Sequence, residues 1–357
     1  VATGPALGGS LYDHHRDGSG VHHASRLRPM PDARPKTGLW TFDADTLIPA
    51  WLDALGQAAD VVTDEDLDAE GAALLAPYRV VLTGRQPEYV STRMMHAYDN
   101  FLGRGGRLMY LGGNGFYWRI AFHPELPGVI EVRRPEGGVR AWSSAPGEGY
   151  HAFSGEPGGL WRRLGRAPNT LVGVGFTAQG FDASRPYRRL PGADDARAAF
   201  AFDGVTGSQI GAHGLLGGGA AGVEIDRFDV ALGSPPHALV LARADGFSAN
   251  WRRVTEEFLT LHPMIDGTSN DLVRADLVFF ETPAGGAVFA VGSIAWTAAL
   301  ATDGYANDVA RVTTNVLRRF LDPLPFAMPD PDTVPVADPD SATVGAADVV
   351  EGMRRRP

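Results

Sequence analysis

The chain of 357 residues contains no cysteine and a single lysine, Lys36; every other basic residue is arginine. The missing cysteines remove thiol nucleophiles, thiolate zinc sites, cysteine-ligated clusters and disulfides together. A P-loop needs lysine after its glycines, and Lys36 stands in Arg-Pro-Lys-Thr with no glycine-rich loop before it. Schiff-base chemistry would have to rest on that residue alone. Long apolar runs are also absent: none approaches the roughly 20 residues that a membrane span requires. With 32 basic against 42 acidic residues, the chain lacks the positive excess of a general nucleic-acid binder. The N-terminus has neither the basic nor the apolar region of a signal peptide, so the expectation is a cytoplasmic protein with no nucleic-acid and no membrane partner.

What is present is ordinary for a globular chain: 44% apolar and 21% charged residues, in a length that can bury a full core. Residues 1–36 hold few periodic apolar positions and start at Val1, so they are read as a loop segment truncated upstream. From Thr37 the pattern becomes regular. Gly38–Phe42 reads as a strand and Asp45–Leu55 as a helix, followed by a short strand at Asp60–Val62. Thr63-Asp64-Glu65-Asp66 then caps a helix that runs to about Leu75. Strands at Val80 and Leu108 complete four strand–helix repeats. The expected fold is therefore α/β: a doubly wound, mostly parallel sheet over residues 37–326, with an antiparallel excursion at Val129–Val132 and Val139–Trp142. Later elements include a short helix at Leu160–Leu164, strands at Leu171–Phe176, Ala198–Phe202 and Ala238–Ala242, and a hairpin of Leu277–Glu281 with Ala287–Val291. Asn307–Leu321 is a strongly amphipathic helix. Residues 327–357, rich in proline, aspartate and alanine, read as a disordered tail.

The stretch from Val80 to Trp118 carries the chemistry. Val80-Val81-Leu82 breaks at Thr83-Gly84 and presents Arg85, Gln86, Pro87, Glu88 and Tyr89. Ser91–Leu102 follows as a helix with Met94, Met95, Tyr98 and Leu102 on one face. Leu108–Leu111 ends in Gly112-Gly113-Asn114-Gly115. Ligands of open α/β sheets lie outside the carboxyl ends of the strands, which would place Glu88 and Asn114 side by side at one mouth. The second turn has the shape of a nucleophile elbow, and class I glutamine amidotransferases put a cysteine at that apex. Asn114 stands there instead. An amide can hold a carbonyl or an oxyanion but is a poor nucleophile. His14, His15, His22 and His23 form the other metal-ligating constellation, but two adjacent pairs six residues apart fit no helical or zinc spacing.

A longer set of motifs resembles one family. Leu11-Tyr12-Asp13-His14-His15-Arg16-Asp17-Gly18-Ser19-Gly20, Ser25–Pro29, Val61–Leu67, Pro87-Glu88-Tyr89, Arg107–Pro127, Gly158–Arg162, Phe279–Pro283 and Gly292–Trp296 are similar to the large (beta) subunit of N,N-dimethylformamidase, over about residues 9–326. The resemblance implies a glutamine-amidotransferase-like domain and hydrolysis of the C–N bond of small N-substituted amides. It also implies a mononuclear ferric ion held by two tyrosines and one glutamate, with a small partner subunit and a homo-oligomer. Tyr12 matches one tyrosine ligand and Glu88 the carboxylate, while the other tyrosine is expected upstream of Val1. The family's histidine two residues before the glutamate is Gln86 here. Asn114 and Glu224 match active-site positions, so Glu224, Asn114 and Gln86 are the expected catalytic residues.

The chemistry is coherent by itself. Phenolate and carboxylate oxygens are hard donors suited to ferric iron, which polarises a carbonyl and acidifies bound water. The departing nitrogen needs a proton, a task for an acid such as Glu224. Each residue also has a plainer explanation. Tyr12 fits a half-buried structural tyrosine, Glu88 a helix N-terminal carboxylate, Asn114 a left-handed turn residue and Glu224 a loop edge. A non-catalytic module that keeps the fold and has lost turnover is the alternative function.

Overall fold

The computed structural model describes residues 9–28, 38–39, 42–135, 142–257 and 264–330. Its largest sheet has seven strands in the order Gln209–Ile210, Tyr187–Arg189, Leu239–Ala244, Ala275–Glu281, Ala287–Ala290, Arg107–Tyr110 and Val80–Leu82. Only the last two pairings in that order are parallel; the others are antiparallel. A second sheet runs His23–Ser25, Val129–Val132, Trp118–Phe122 and Tyr89–Ser91, with Gly159–Leu160 added on Trp118–Phe122. A third joins Ala221–Arg227 and Arg252–Arg253 to the long strand Gly175–Arg185. The expected doubly wound, mostly parallel, amidotransferase-like sheet is therefore wrong: the fold is rich in mixed and antiparallel sheet.

The reasons are local. Asp60–Val62 pairs with nothing as a strand, and Val61 and Val62 stay exposed at 79% and 42%. Ala198–Phe202 forms a 3₁₀ turn, Ala199–Phe202. Leu171 belongs to a helix, Pro168–Val172, begun by a proline and ended by Gly173 at φ +79°, so a strand starts only at Gly175. Short apolar runs do not distinguish a strand from one helical turn. Of the expected strand Gly38–Phe42, Trp40 and Thr41 lie outside the described residues, and Phe42 opens a helix. Most of Val139–Trp142 and of the 327–357 tail also lies outside them.

Other expectations hold. The helix Thr92–Gly103 is capped by Ser91, whose side chain accepts from the Met94 amide, and it buries Met94, Met95, Tyr98 and Leu102. Thr63 caps Asp64–Glu70 through a reciprocal box with Asp66, although Gly71 at φ +63° ends that helix and a separate turn, Ala72–Leu75, follows. Asn307 caps Asp308–Leu321, which buries Val309, Val312, Val316, Leu317 and Phe320. At about 1.5–3 kcal/mol for each large side chain as an upper bound, that face anchors the helix. Strand alternation then sorts the core. Met109, Leu111 and Phe289 face a layer containing Trp51, Trp296 and Phe320, whereas Leu108, Tyr110 and Val288 face Met94, Phe101 and Trp161. No described helix is long and apolar enough to cross a membrane.

Candidate functional site

Two turns and one strand meet beside the parallel edge of the large sheet. The first turn, after Val80–Leu82, carries Arg85, Gln86 and Glu88; the second, after Arg107–Tyr110, carries Asn114. They are stitched together by main-chain hydrogen bonds: the Gly113 amide donates to the Arg85 carbonyl at 3.0 Å, Phe116 to Pro87 at 2.7 Å and Tyr117 to Glu88 at 3.0 Å. The expected neighbourhood of Glu88 and Asn114 is thus present. Glycine is required for this approach. A Cβ on Gly112 would lie 2.2 Å from the Arg85 carbonyl oxygen, and one on Gly113 would lie 2.6 Å from that of Glu224. Asn114 takes φ +50°, a conformation asparagine tolerates, and its amide N–H is fixed at 2.8 Å by the buried carboxylate of Asp226. Asp226 also accepts from Tyr110 at 2.7 Å, and the Tyr110 hydroxyl accepts from Gly115 at 2.8 Å.

Glu224 comes from the middle of the Ala221–Arg227 strand, in a different sheet. It accepts from the Gln86 amide at 2.7 Å and from the Asn114 amide at 3.0 Å, both on one oxygen. Gln86 reaches Glu88 as well, at 3.3 Å. One side-chain amide therefore spans two carboxylates. Burial pushes the Glu88 carboxyl up to about 8, helped by the charge of Glu224. Burial also raises Glu224, to about 7, against the lowering effects of the Asn114 hydrogen bond and the Arg85 charge. A carboxyl poised near neutrality can both give and take a proton at working pH. Asn114 Oδ1 is buried and has no hydrogen-bond partner among the described residues, which leaves it a free acceptor.

Tyr12 arrives from the N-terminal segment. The residue is 48% exposed, yet its hydroxyl pairs with that of Tyr89, and burial together with the charge of Glu88 pushes its phenol upward. The structure therefore brings together all five residues singled out in the sequence: Tyr12, Gln86, Glu88, Asn114 and Glu224. Three others were missed. Tyr89 lay inside the quoted Pro-Glu-Tyr motif. Arg134 and Asp226 carried no sequence signal, because each acts through contacts with residues more than forty positions away. The histidines separate: His22 lies 3.8 Å from Glu148, His23 3.6 Å from Glu131, and His14 bridges to Gly20.

Among the described residues no group of three or more histidine, aspartate or glutamate side chains is gathered for a metal. The donors at this site differ in kind: a phenol, two carboxyls and an amide oxygen. These hard oxygens, one of them unpartnered among the described residues, suit a hard cation of high charge.

Comparison with known proteins agrees with the motifs. The family described as N,N-dimethylformamidase beta subunit-like, C-terminal, matches residues 5–309. The N,N-dimethylformamidase beta subunits of Alcaligenes sp and Paracoccus aminophilus are each 41% identical over 318 residues, which cover 87% of this chain and 42% of theirs. The chain thus spans less than half the length of these relatives.

Proposed function

The chain belongs to the N,N-dimethylformamidase beta subunit-like, C-terminal family, and from that membership we propose that it takes part in hydrolysing the C–N bond of small N-substituted amides. Water and an amide such as N,N-dimethylformamide would give a carboxylate and an amine. The observation that carries the reading is the Gln86-bridged pair Glu88 and Glu224, held with Asn114 beside the Tyr12 phenol.

In this reading Tyr12 and Glu88 would hold a mononuclear ferric ion, with a further tyrosine supplied by sequence outside this chain. The ion would supply Lewis-acid polarisation and a lowered pKa for water. The chain's own residues do the rest. Asn114 and Gln86 donate to Glu224 and hold its reactive oxygen in one place. Glu224, titrating near neutrality, takes a proton from the attacking water and returns one to the departing nitrogen. Asn114 Oδ1 is the acceptor left over for orienting water or substrate.

Assembly with a small partner subunit and with further copies of itself is part of the proposal, since the relatives are named as subunits. The test is stoichiometric. Protein supplied with ferric iron is incubated with N,N-dimethylformamide, and dimethylamine and formate are measured while light scattering reports its mass. Equal release of both products is expected, and it should be lost in Glu224→Gln. Bound iron without amine release refutes the catalytic reading and leaves the non-catalytic module.

A further inference from the structure

Arg134 is a fully buried arginine, at 1% exposure, and no carboxylate forms a direct ion pair with it among the described residues. Its guanidinium lies among three aromatic rings, 5.0 Å from Tyr12, 5.4 Å from Trp118 and 5.9 Å from Tyr89. Nη1 donates to the Leu11 carbonyl at 2.9 Å and Nη2 to the Tyr89 hydroxyl at 3.1 Å, while Nε is buried without a partner among the described residues. The main chain is fixed independently, because the Arg134 amide donates to Ser144 Oγ at 2.8 Å and its carbonyl accepts from the Ser144 amide at 3.2 Å. An enclosed cation without a carboxylate is costly unless other electron-rich groups answer it. Here the answering groups are the rings, the Leu11 carbonyl, the oxygen of Tyr89 and, without direct contact, the charge of Glu88.

One hydrogen-bond direction follows from this. A guanidinium only donates, so the Tyr89 oxygen accepts from Arg134. That bond withdraws electron density from Tyr89 and makes its O–H a stronger donor, and the oxygens beside it are those of Tyr12 and Glu88. Leu11, also held by Arg134, immediately precedes Tyr12, so one guanidinium fixes both the main chain and the hydroxyl of that residue.

We propose that Arg134 and Tyr89 form a positioning relay for Tyr12. Arg134 polarises Tyr89, Tyr89 donates to the Tyr12 oxygen, and the pair sets that oxygen's position and its strength as an electron donor. The relay rests on the proposed role of Tyr12 as an iron ligand. Neither Arg134 nor Tyr89 touches the metal or the substrate; both also face Glu88, whose carboxyl the Arg134 charge and a Tyr89 hydrogen bond lower, so the relay is read at the Tyr12 phenol itself. Outer partners of metal ligands typically change metal affinity by about 10- to 100-fold.

The experiment adds ferric iron to the full-length parent protein, which includes the further tyrosine, and to its Tyr89→Phe, Arg134→Gln and Arg134→Lys variants, each checked for folding by circular dichroism. The readouts are iron affinity and the energy of the phenolate-to-iron absorption band, which must vanish in Tyr12→Phe. A hydrogen bond to a phenolate lowers its donor energy, so Tyr89→Phe should move the band to longer wavelength and weaken iron binding about tenfold or more. Arg134→Gln should do the same in smaller measure, and Arg134→Lys, which keeps a donor and a charge, should recover part of the parent spectrum. A band present in the parent and unmoved in all three variants overturns the relay while leaving the iron reading intact. Absence of any band in the parent refutes the iron reading. The relay is then decided without metal, by the fluorine resonance of 3-fluorotyrosine at position 12. Its movement in Tyr89→Phe supports the pairing, and an unchanged resonance overturns it.

Discussion

Replacing Glu224 by glutamine should change how stability depends on pH, and the sign can be worked out from the site. Glu224 and Glu88 titrate in the folded metal-free chain at about 7 and about 8, against an ordinary value of 4.5, chiefly because burial disfavours their charge. Between pH 4.5 and 7 the folded state therefore holds protons that the unfolded state has released. Stability from these groups is present below about pH 4.5 and is lost as pH rises through the folded values. Each fully shifted group contributes about 1.4 kcal/mol per pH unit in that window. Allowing for the partial exposure of Glu224, about 1 kcal/mol per pH unit is its share. Glutamine mimics the protonated acid, and its oxygen can still accept from Gln86 and Asn114. Glu224→Gln should match the parent near pH 4.5 and exceed its stability by roughly 2 kcal/mol at pH 7. Removing the Glu224 charge also lowers the Glu88 carboxyl, which adds to the same trend. Urea unfolding at constant ionic strength, with chelator present and the slope m held common, measures the difference directly. Shifts from other groups, such as Asp64, cancel between the two proteins. A difference that stays flat or reverses between about pH 5 and 7 would refute the reasoning.

Substitutions at neighbouring residues have expected outcomes too. Gln86→Ala deprives two buried carboxylates of a shared donor and should cost about 1–3 kcal/mol in stability, with a fall in kcat rather than a rise in KM. Gln86→His should add a titration between about pH 5 and 8 to the rate profile, and a Gln86→Ala protein indistinguishable from the parent in stability and in kcat would remove residue 86 from the site. Gly113→Ala forces a Cβ to 2.6 Å from the Glu224 carbonyl oxygen and 3.0 Å from the Ile294 amide nitrogen, so thermal unfolding should show about 1–3 kcal/mol of destabilisation, and an unchanged melting temperature would mean that the two sheets are not locked together there.

The site was more legible in the sequence than the fold. Glu88 and Asn114 announced themselves because each ends a short apolar run in a turn rich in glycine or proline, a local signal that survives whatever the strand pairs with. Thr63 was readable as a helix cap for the same reason, whereas Ser91 and Asn307 were read only as the starts of helices that they turn out to cap. Strand direction was not readable, since Val80–Leu82 and Tyr187–Arg189 have equally brief patterns and join one sheet through partners far away in sequence. The long strand Gly175–Arg185 was seen only at its first residues, because Gln179, Gly180 and Asp182 interrupt its apolar pattern. Its pairing with Ala221–Arg227 is what delivers Glu224. Family resemblance, not periodicity, pointed to that residue. Arg134 shows the limit most plainly: beside Arg133 it looks like half of a surface pair, yet Arg133 turns to Glu131 and Glu148 while Arg134 turns inward.

The bridging contact between Gln86 and Glu224 joins positions 138 residues apart. As the chain is synthesised, both turns of the site emerge long before the strand that faces them. A ribosome adding about 5–20 residues per second separates the two lips by roughly 7–28 seconds. Throughout that interval Gln86 and Asn114 have no carboxylate from the other sheet to receive their protons, and Glu88 has no like charge opposing it. The strain of crowding two acids into one enclosure arises only when Ala221–Arg227 docks. Chemistry and closure of the fold are therefore timed together: a chain stalled before that docking carries every N-terminal component of the site and none of its electrostatic tension.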